Sequence, residues 1–136
     1  TYYSASTIAG VADGIGGTIW DPAAQSWGGG WRMPTKAEFE ELINNQNCTQ
    51  YTEEINGIRC YRFVRHGNEI YLPMHTPAPY ENSRYDYYWS STPNQSDNQK
   101  VKVLQLGSAY MGLSTYMNET NRCRKCPIRP VISIQK

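Results

Sequence analysis

The sequence lacks any run of about 18 consecutive apolar residues, the length that a transmembrane helix needs. Its first residues, Thr1-Tyr2-Tyr3-Ser4, have neither the charged nor the apolar region of a signal peptide, so we expect a mature or excised part of a secreted protein. An excess of charge is also missing, because 13 Lys and Arg are balanced by 12 Asp and Glu. Without a basic stripe to neutralise phosphates, nucleic acid is not an expected partner.

Phenylalanine and histidine are scarce, with two of each, whereas tyrosine occurs eleven times. The length of 136 residues predicts one domain over residues 1–136. Abundant Tyr with Asn, Ser and Gly is typical of recognition surfaces, because tyrosine offers a large contact area at low entropic cost. The alternative is that tyrosines line strands, with alternate rings in the core.

Two short helices are predicted in the first third of the chain. Asp21-Pro22-Ala23-Ala24 combines an N-cap with a proline at the first helical position, which predicts a helix from Pro22 toward Trp27. Thr35-Lys36-Ala37-Glu38 is a capping box and predicts a second helix over about 36–45.

Alternation with a period of two predicts several short strands after residue 57. They are expected at 58–65 and 69–72, around the turn His66-Gly67-Asn68, and at 87–92, 101–106, 110–116 and 128–134. Helices followed by a run of strands predict an α+β domain. The loops between the elements are long, and such loops usually carry function.

Trp27-Gly28-Gly29-Gly30-Trp31-Arg32-Met33-Pro34-Thr35-Lys36-Ala37-Glu38-Phe39-Glu40-Glu41-Leu42 resembles the signature of the Fibrobacter succinogenes major paralogous domain, a family of Bacteroidetes surface proteins. Three further motifs follow in the family's order: Ile70-Tyr71-Leu72-Pro73, Tyr88-Trp89-Ser90-Ser91-Thr92 and Ile128-Arg129-Pro130-Val131. The resemblance covers residues 20–132.

This resemblance implies a C-type-lectin-like fold, in the variant shared with formylglycine-generating enzymes. Two short helices, a mostly antiparallel twisted sheet, paired terminal strands and a loop-rich ligand face are expected. The motif residues are expected to be scaffold, with the rings of Trp27 and Trp31 buried beside glycines. Arg32 and Arg129 are expected to bond backbone carbonyls or Glu38.

The chain is also similar to the variable proteins of diversity-generating retroelements, which end in a similar aromatic strand and Arg-Pro-Val tail. Region 94–126 is dense in Asn, Ser, Thr, Tyr, Asp and Arg, the residues that adenine-rich codons specify. The chain departs from the first family at Cys60, where relatives tend to have glycine. It departs again at Lys125-Cys126-Pro127, where relatives have Gly-aromatic-Ser.

Four cysteines, Cys48, Cys60, Cys123 and Cys126, are compatible with two disulfides in an oxidising compartment, which favours an extracellular location. Bridges 48–60 and 123–126 are the simplest pairing, and crossed pairings stay open. The Cys-x-x-Cys is alternatively half of a zinc site or a redox pair, but no second pair of ligands has matching spacing.

An enzyme, a cofactor and a metal site are not expected. His66 and His75 lack neighbours that would complete a catalytic triad. Asp97-Asn98-Gln99 offers too few oxygen ligands for calcium. An oxidase with reactive cysteines, like the formylglycine-generating enzymes, is disfavoured. The sequence contains no recognisable set of residues that would activate a nucleophilic thiolate.

The first functional prediction is an adhesin domain of a bacterial surface or pilus protein that binds a host or microbial glycan or protein through residues 80–126. Aromatic rings beside amide and guanidinium donors suit sugar stacking or a protein hot spot. The predicted ligand-binding residues are Tyr80, Tyr85, Tyr87, Tyr110, Tyr116, Asn118, Asn121, Arg122 and Arg124. The alternatives are a retroelement-diversified receptor binder with a protein ligand, and a packing module of a larger lipoprotein.

Overall fold

The computed structural model describes residues 14–74, 83–97, 99–109, 112–122 and 126–132. The elements, in chain order, are α1 (Pro22–Trp27), β1 (Trp31–Arg32), α2 (Lys36–Ile43), β2 (Thr49–Ile55), β3 (Ile58–Arg65), β4 (Asn68–Pro73), β5 (Ser83–Pro93), β6 (Lys100–Ala109), β7 (Gly112–Asn121) and β8 (Val131–Ile132). The strand pairs in these ranges are antiparallel. The α+β class is therefore confirmed.

The strands divide into three small sheets, where the sequence predicted one. Their orders are β1-β8, β2-β3-β4 and β5-β6-β7. In the described part of the chain, no helix is long and apolar enough to span a bilayer.

Both helices begin where their caps predict. The Asp21 side chain accepts hydrogen bonds from the backbone of Ala23 and Ala24, which opens α1. The Thr35 hydroxyl accepts from Glu38 N at 3.2 Å, while Glu38 Oε1 accepts from Thr35 N at 2.9 Å, so the capping box is complete. The α2 helix ends at Ile43, two residues before the predicted end.

Two hairpins build the β2-β3-β4 sheet. The predicted one joins β3 to β4, with Arg65 paired to Asn68 and positive φ angles of 50° at His66 and 77° at Gly67. The other was not predicted, because the sequence analysis expected strands only after residue 57. Its turn is Asn56-Gly57, with φ angles of 51° and 82°, the geometry that a two-residue hairpin requires.

The β5-β6-β7 sheet contains longer strands than the sequence predicted. The predicted segments 87–92, 101–106 and 110–116 correspond to 83–93, 100–109 and 112–121, and β7 returns antiparallel to β6 as expected. The last predicted strand is reduced to β8, which pairs with β1 through Trp31 and Ile132. Residues 133 and 134 of that prediction lie outside the described residues.

The core lies between α2 and the two three-stranded sheets. Its buried members are Phe39, Cys48, Tyr61, Phe63, Leu72, Met74, Tyr88, Leu104 and Leu106. Leu42, Ile43, Leu113 and Met117 pack against them. Phe39, Leu42 and Ile43 therefore form the apolar face that α2 buries.

Asp21 connects three parts of the N-terminal region. Besides capping α1, its Oδ2 accepts from Gly17 N and from Met33 N, both at 2.8 Å. The side chain is fully buried. Since a buried carboxylate needs donors in place of water, these backbone groups fix the loop before α1 against the end of β1.

One scaffold expectation is confirmed and another is wrong. Arg32 bonds Glu38 and the Met33 carbonyl, and Arg129 donates to the Tyr71 carbonyl at 3.5 Å. Trp27, by contrast, is 59% exposed and meets the half-buried Trp31 edge-on, with ring centroids 5.1 Å apart.

The predicted bridge between Cys48 and Cys60 is not formed, and both thiols are free. Cys60 pairs with Glu53, whereas Cys48 lies before the start of β2. At roughly 3.3 Å per residue the two positions are about 16 Å apart along the strand. A disulfide requires Cα atoms within about 7 Å, so the hairpin register separates this pair.

Candidate ligand-binding face

Alternate residues of β5, β6 and β7 form a surface on the side of their sheet opposite the core, which we name the tyrosine face. Its three cross-strand rows are Tyr85, Gly107 and Ser114; Tyr87, Gln105 and Tyr116; and Trp89, Val103 and Asn118. The intervening residues Tyr88, Leu104 and Leu106 are in the core. Because successive side chains point to opposite sides of a sheet, the three rows share the other side.

Two tyrosine rings are the most exposed large groups of this face. Tyr85 is 47% exposed and Tyr116 is 43% exposed, while Tyr87 is half-buried. Gly107 lies beside Tyr85 in its row and contributes no side chain there. The middle positions of the rows, Gly107, Gln105 and Val103, are buried, so the exposed surface of the face lies along its two outer strands.

A pair of amides lies next to the rings. Asn118 Nδ2 donates to Gln105 Oε1 at 2.7 Å, and Asn118 Oδ1 accepts from Glu119 N at 2.8 Å. Gln105 is only 4% exposed, and Tyr87 and Tyr116 flank it in its row. It was not among the predicted site residues, although its position in the strict alternation of β6 is the signal that would have found it.

No side chain in the three rows is ionisable at neutral pH. The nearest charged pair, Lys102 and Glu119, belongs to the alternate positions and forms a salt bridge across β6 and β7. The hydrogen bond from Lys102 lowers the pKa of Glu119, with burial opposing the shift. These charges therefore neutralise each other on the opposite side of the sheet.

Four of the predicted site residues, Tyr85, Tyr87, Tyr116 and Asn118, come together on the tyrosine face. Asn121 is exposed but pairs with Lys100 at the far end of the β6–β7 hairpin, outside the three rows.

Arg122 lies next to Asn121 and is tied to the loop before β6. Its Nε donates to the Lys100 carbonyl at 3.3 Å, and its backbone N donates to Gln99 O at 2.9 Å. Burial lowers the pKa of its guanidinium, against the opposing effect of the Asp97 charge. Three more predicted residues, Tyr80, Tyr110 and Arg124, lie outside the described residues.

A groove of about 440 Å³ runs between α2 and the edge of β7. It is lined by Lys36, Glu40, Lys102, Met117, Asn118 and Glu119. Lys36 and Glu40 form an ion pair at 3.1 Å on its helical side. Asn118 belongs to both the groove and the tyrosine face, so the two surfaces are continuous.

The outer side of the β2-β3-β4 sheet carries a second aromatic row, which the sequence reasoning missed. Arg62 lies between its cross-strand partners Tyr51 and Tyr71, with its Cζ 4.8 Å and 5.6 Å from their ring centroids. Glu69 accepts from Arg62 Nε at 2.9 Å, which lowers the pKa of Glu69 and raises that of Arg62. The guanidinium is already engaged by this carboxylate, in contrast to the uncharged tyrosine face.

A buried polar group lies beneath the tyrosine face. Tyr61 donates its hydroxyl to Asp86 Oδ2 at 2.6 Å, and both side chains are fully buried. Nearby, the Tyr88 hydroxyl donates to the Pro73 carbonyl at 2.6 Å. Burial and the Asp86 charge raise the pKa of Tyr88 well above its usual value. These contacts link the two larger sheets through the core.

Within the ranges that the structure describes, no three His, Cys, Asp or Glu side chains are grouped to hold a metal ion. Comparisons of the chain with protein-family models, curated proteins and solved structures found no match.

Proposed function

We propose that this chain is a non-enzymatic ligand-binding domain of a bacterial surface or pilus protein, and that it recognises its ligand through the tyrosine face. The observation that carries the proposal is the convergence of Tyr85, Tyr87, Tyr116 and Asn118 on one uncharged surface from two strands. Exposed aromatic rings beside fixed amides are the chemistry of recognition. The rows include the hydroxyl of Ser114 but no histidine or carboxylate to activate it.

The proposed fold is the C-type-lectin-like fold in its formylglycine-generating-enzyme variant. Two features support it beyond the α+β class. The β1–β8 pairing joins the first and last strands of the described residues, and paired terminal strands are what the resemblance implies. The segment Arg32-Met33-Pro34-Thr35 leads directly into α2. Location at the cell surface rests on the sequence resemblance, and protease accessibility of the protein on intact source cells tests it.

A matched pair of variants tests the role of the tyrosine face. Tyr116→Ala removes a ring of this face, whereas Tyr51→Ala removes a ring of similar exposure, 43% against 36%, from the other sheet. The wild-type domain is screened against a glycan array and a panel of extracellular proteins. Ligand binding is expected to fall with Tyr116→Ala and to persist with Tyr51→Ala. The reverse pattern, with both variants folded, contradicts the proposal.

A second candidate function, the retroelement-diversified receptor binder, is favoured by the alternation in β7. Ser114, Tyr116 and Asn118 are exposed, whereas Leu113 and Met117 pack against the core. A sequence change on the exposed side can therefore alter the ligand surface without disturbing the packing. A template repeat and a reverse transcriptase gene beside the coding sequence would support this function, and their absence from the source genome would oppose it.

A further inference from the structure

The absence of charge on the tyrosine face narrows the class of ligand. An acidic ligand placed there loses water from its anionic groups and finds no cation in any of the three rows. The lysines of the adjoining groove, Lys36 and Lys102, are already paired with Glu40 and Glu119. A calcium ion needs several oxygen ligands, commonly including carboxylates, which the rows also lack. A neutral ligand loses no anionic hydration on this face and needs no calcium ion to bind there.

The polar groups of the face match the hydroxyl groups of a sugar. Asn118 is exposed and donates one amide hydrogen to Gln105, and among the described residues none accepts its second N–H, which can serve a ligand. Ser114, two rows from Asn118 on the same strand, is exposed and offers a hydroxyl that both donates and accepts. Tyr116 lies between Ser114 and Asn118 along β7, and Tyr85 lies across the sheet in the row of Ser114, so both rings supply flat apolar surface beside these groups.

The dimensions of the face are small for a protein partner. Strands about 4.8 Å apart and residues about 3.3 Å apart give three rows that measure about 10 Å by 13 Å. A stable protein interface covers roughly 800 Å² on each partner. The tyrosine face provides a fraction of that area, enough for a few linked sugar rings.

From these three properties we infer that the tyrosine face binds a neutral oligosaccharide through stacking and amide hydrogen bonds, without a bridging cation. This inference rests on the proposed function and specifies its ligand. In the proposed complex the ring of Tyr116 stacks on a sugar ring, and the side-chain amide of Asn118 makes the hydrogen bond that orients the sugar.

The test uses the whole chain on an array of neutral oligosaccharides printed beside sialylated and sulfated forms of the same backbones. Binding to neutral forms is expected, with little change between about 50 and 500 mM salt or on addition of EDTA. Tyr116→Ala should weaken binding about tenfold or more, whereas Tyr116→Phe should retain most of it and Tyr51→Ala should leave it unchanged.

The outcomes separate this inference from the proposed function. Preference for acidic forms, or loss of binding in EDTA, overturns the inference. Capture of a protein ligand that Tyr116→Ala abolishes, with no sugar bound, overturns the inference and leaves the proposed function standing. If folded Tyr85→Ala and Tyr116→Ala variants bind every ligand as the wild type does, the inference and the proposed function are both wrong.

Discussion

Arg32 and Glu38 are joined by two parallel hydrogen bonds, Nη1 to Oε1 at 2.6 Å and Nη2 to Oε2 at 2.9 Å. Because Glu38 also accepts from Thr35 N, one carboxylate connects β1 to the first turn of α2. The hydrogen bond from Arg32 lowers the pKa of Glu38 below its usual 4.5, and burial opposes the shift. The same contact raises the pKa of Arg32.

The first prediction concerns acid stability. A carboxylate whose folded pKa is depressed contributes stability above its unfolded pKa and loses it as the pH falls through the folded value. Between about pH 5 and pH 3 the free energy of unfolding should therefore decrease less in Glu38→Gln than in the wild type. Urea unfolding across this range measures it, with Glu40→Gln, whose ion pair with Lys36 is exposed, as the control. Equal slopes in wild type and Glu38→Gln would contradict the prediction.

The second prediction concerns Asp21. Asp21→Ala leaves four backbone N–H groups without their acceptor and should lower the free energy of unfolding by about 3 kcal/mol. Asp21→Asn keeps a carbonyl oxygen and should cost less. Urea denaturation provides the measurement. Asp97→Ala serves as the control because the Asp97 side chain is partly exposed, accepts from Gln99 N at 3.0 Å and makes a long ion pair of 3.8 Å with Lys100. A loss below about 1 kcal/mol for Asp21→Ala would show that its hydrogen bonds are not needed.

The third prediction concerns the hydroxyl of Tyr61. Tyr61→Phe removes a donor from the buried carboxylate of Asp86 and should destabilise the fold by about 2 kcal/mol. Thermal and urea unfolding measure the change. Tyr51→Phe, at an exposed position, should have little effect. If both variants unfold like the wild type, the Tyr61–Asp86 contact contributes no net stability.

The fourth prediction concerns the thiols. Burial, and secondarily the charge of Glu53, raise the pKa of Cys60, so little reactive thiolate forms near neutral pH. Cys60 should react slowly with a thiol reagent in the native protein and rapidly after unfolding, as peptide mapping of the labelled protein will measure. Cys60→Ser identifies its signal. A non-reducing digest should contain no peptide linking Cys48 to Cys60, and recovery of such a peptide would contradict the observed register.

Several features of the fold could be predicted because their causes are local. The caps at Asp21 and Thr35 act within three residues, so both helices were placed correctly at their starts. The β2 strand was missed because its sequence, Thr49–Ile55, alternates too weakly in hydrophobicity to stand out. Its Asn56-Gly57 turn was the available signal.

The sequence by itself determined which residues of the tyrosine face share one side of a strand, since alternation along β5 and β7 depends only on backbone geometry. Tertiary structure alone decided that Tyr87, Gln105 and Tyr116 form one row, because strand register depends on pairing between residues distant in the chain. The same non-local pairing separated Cys48 from Cys60 and held Arg122 at the end of its hairpin. The chemical character of the side chains could thus be predicted from the sequence, whereas which of them lie together depended on how the strands pair.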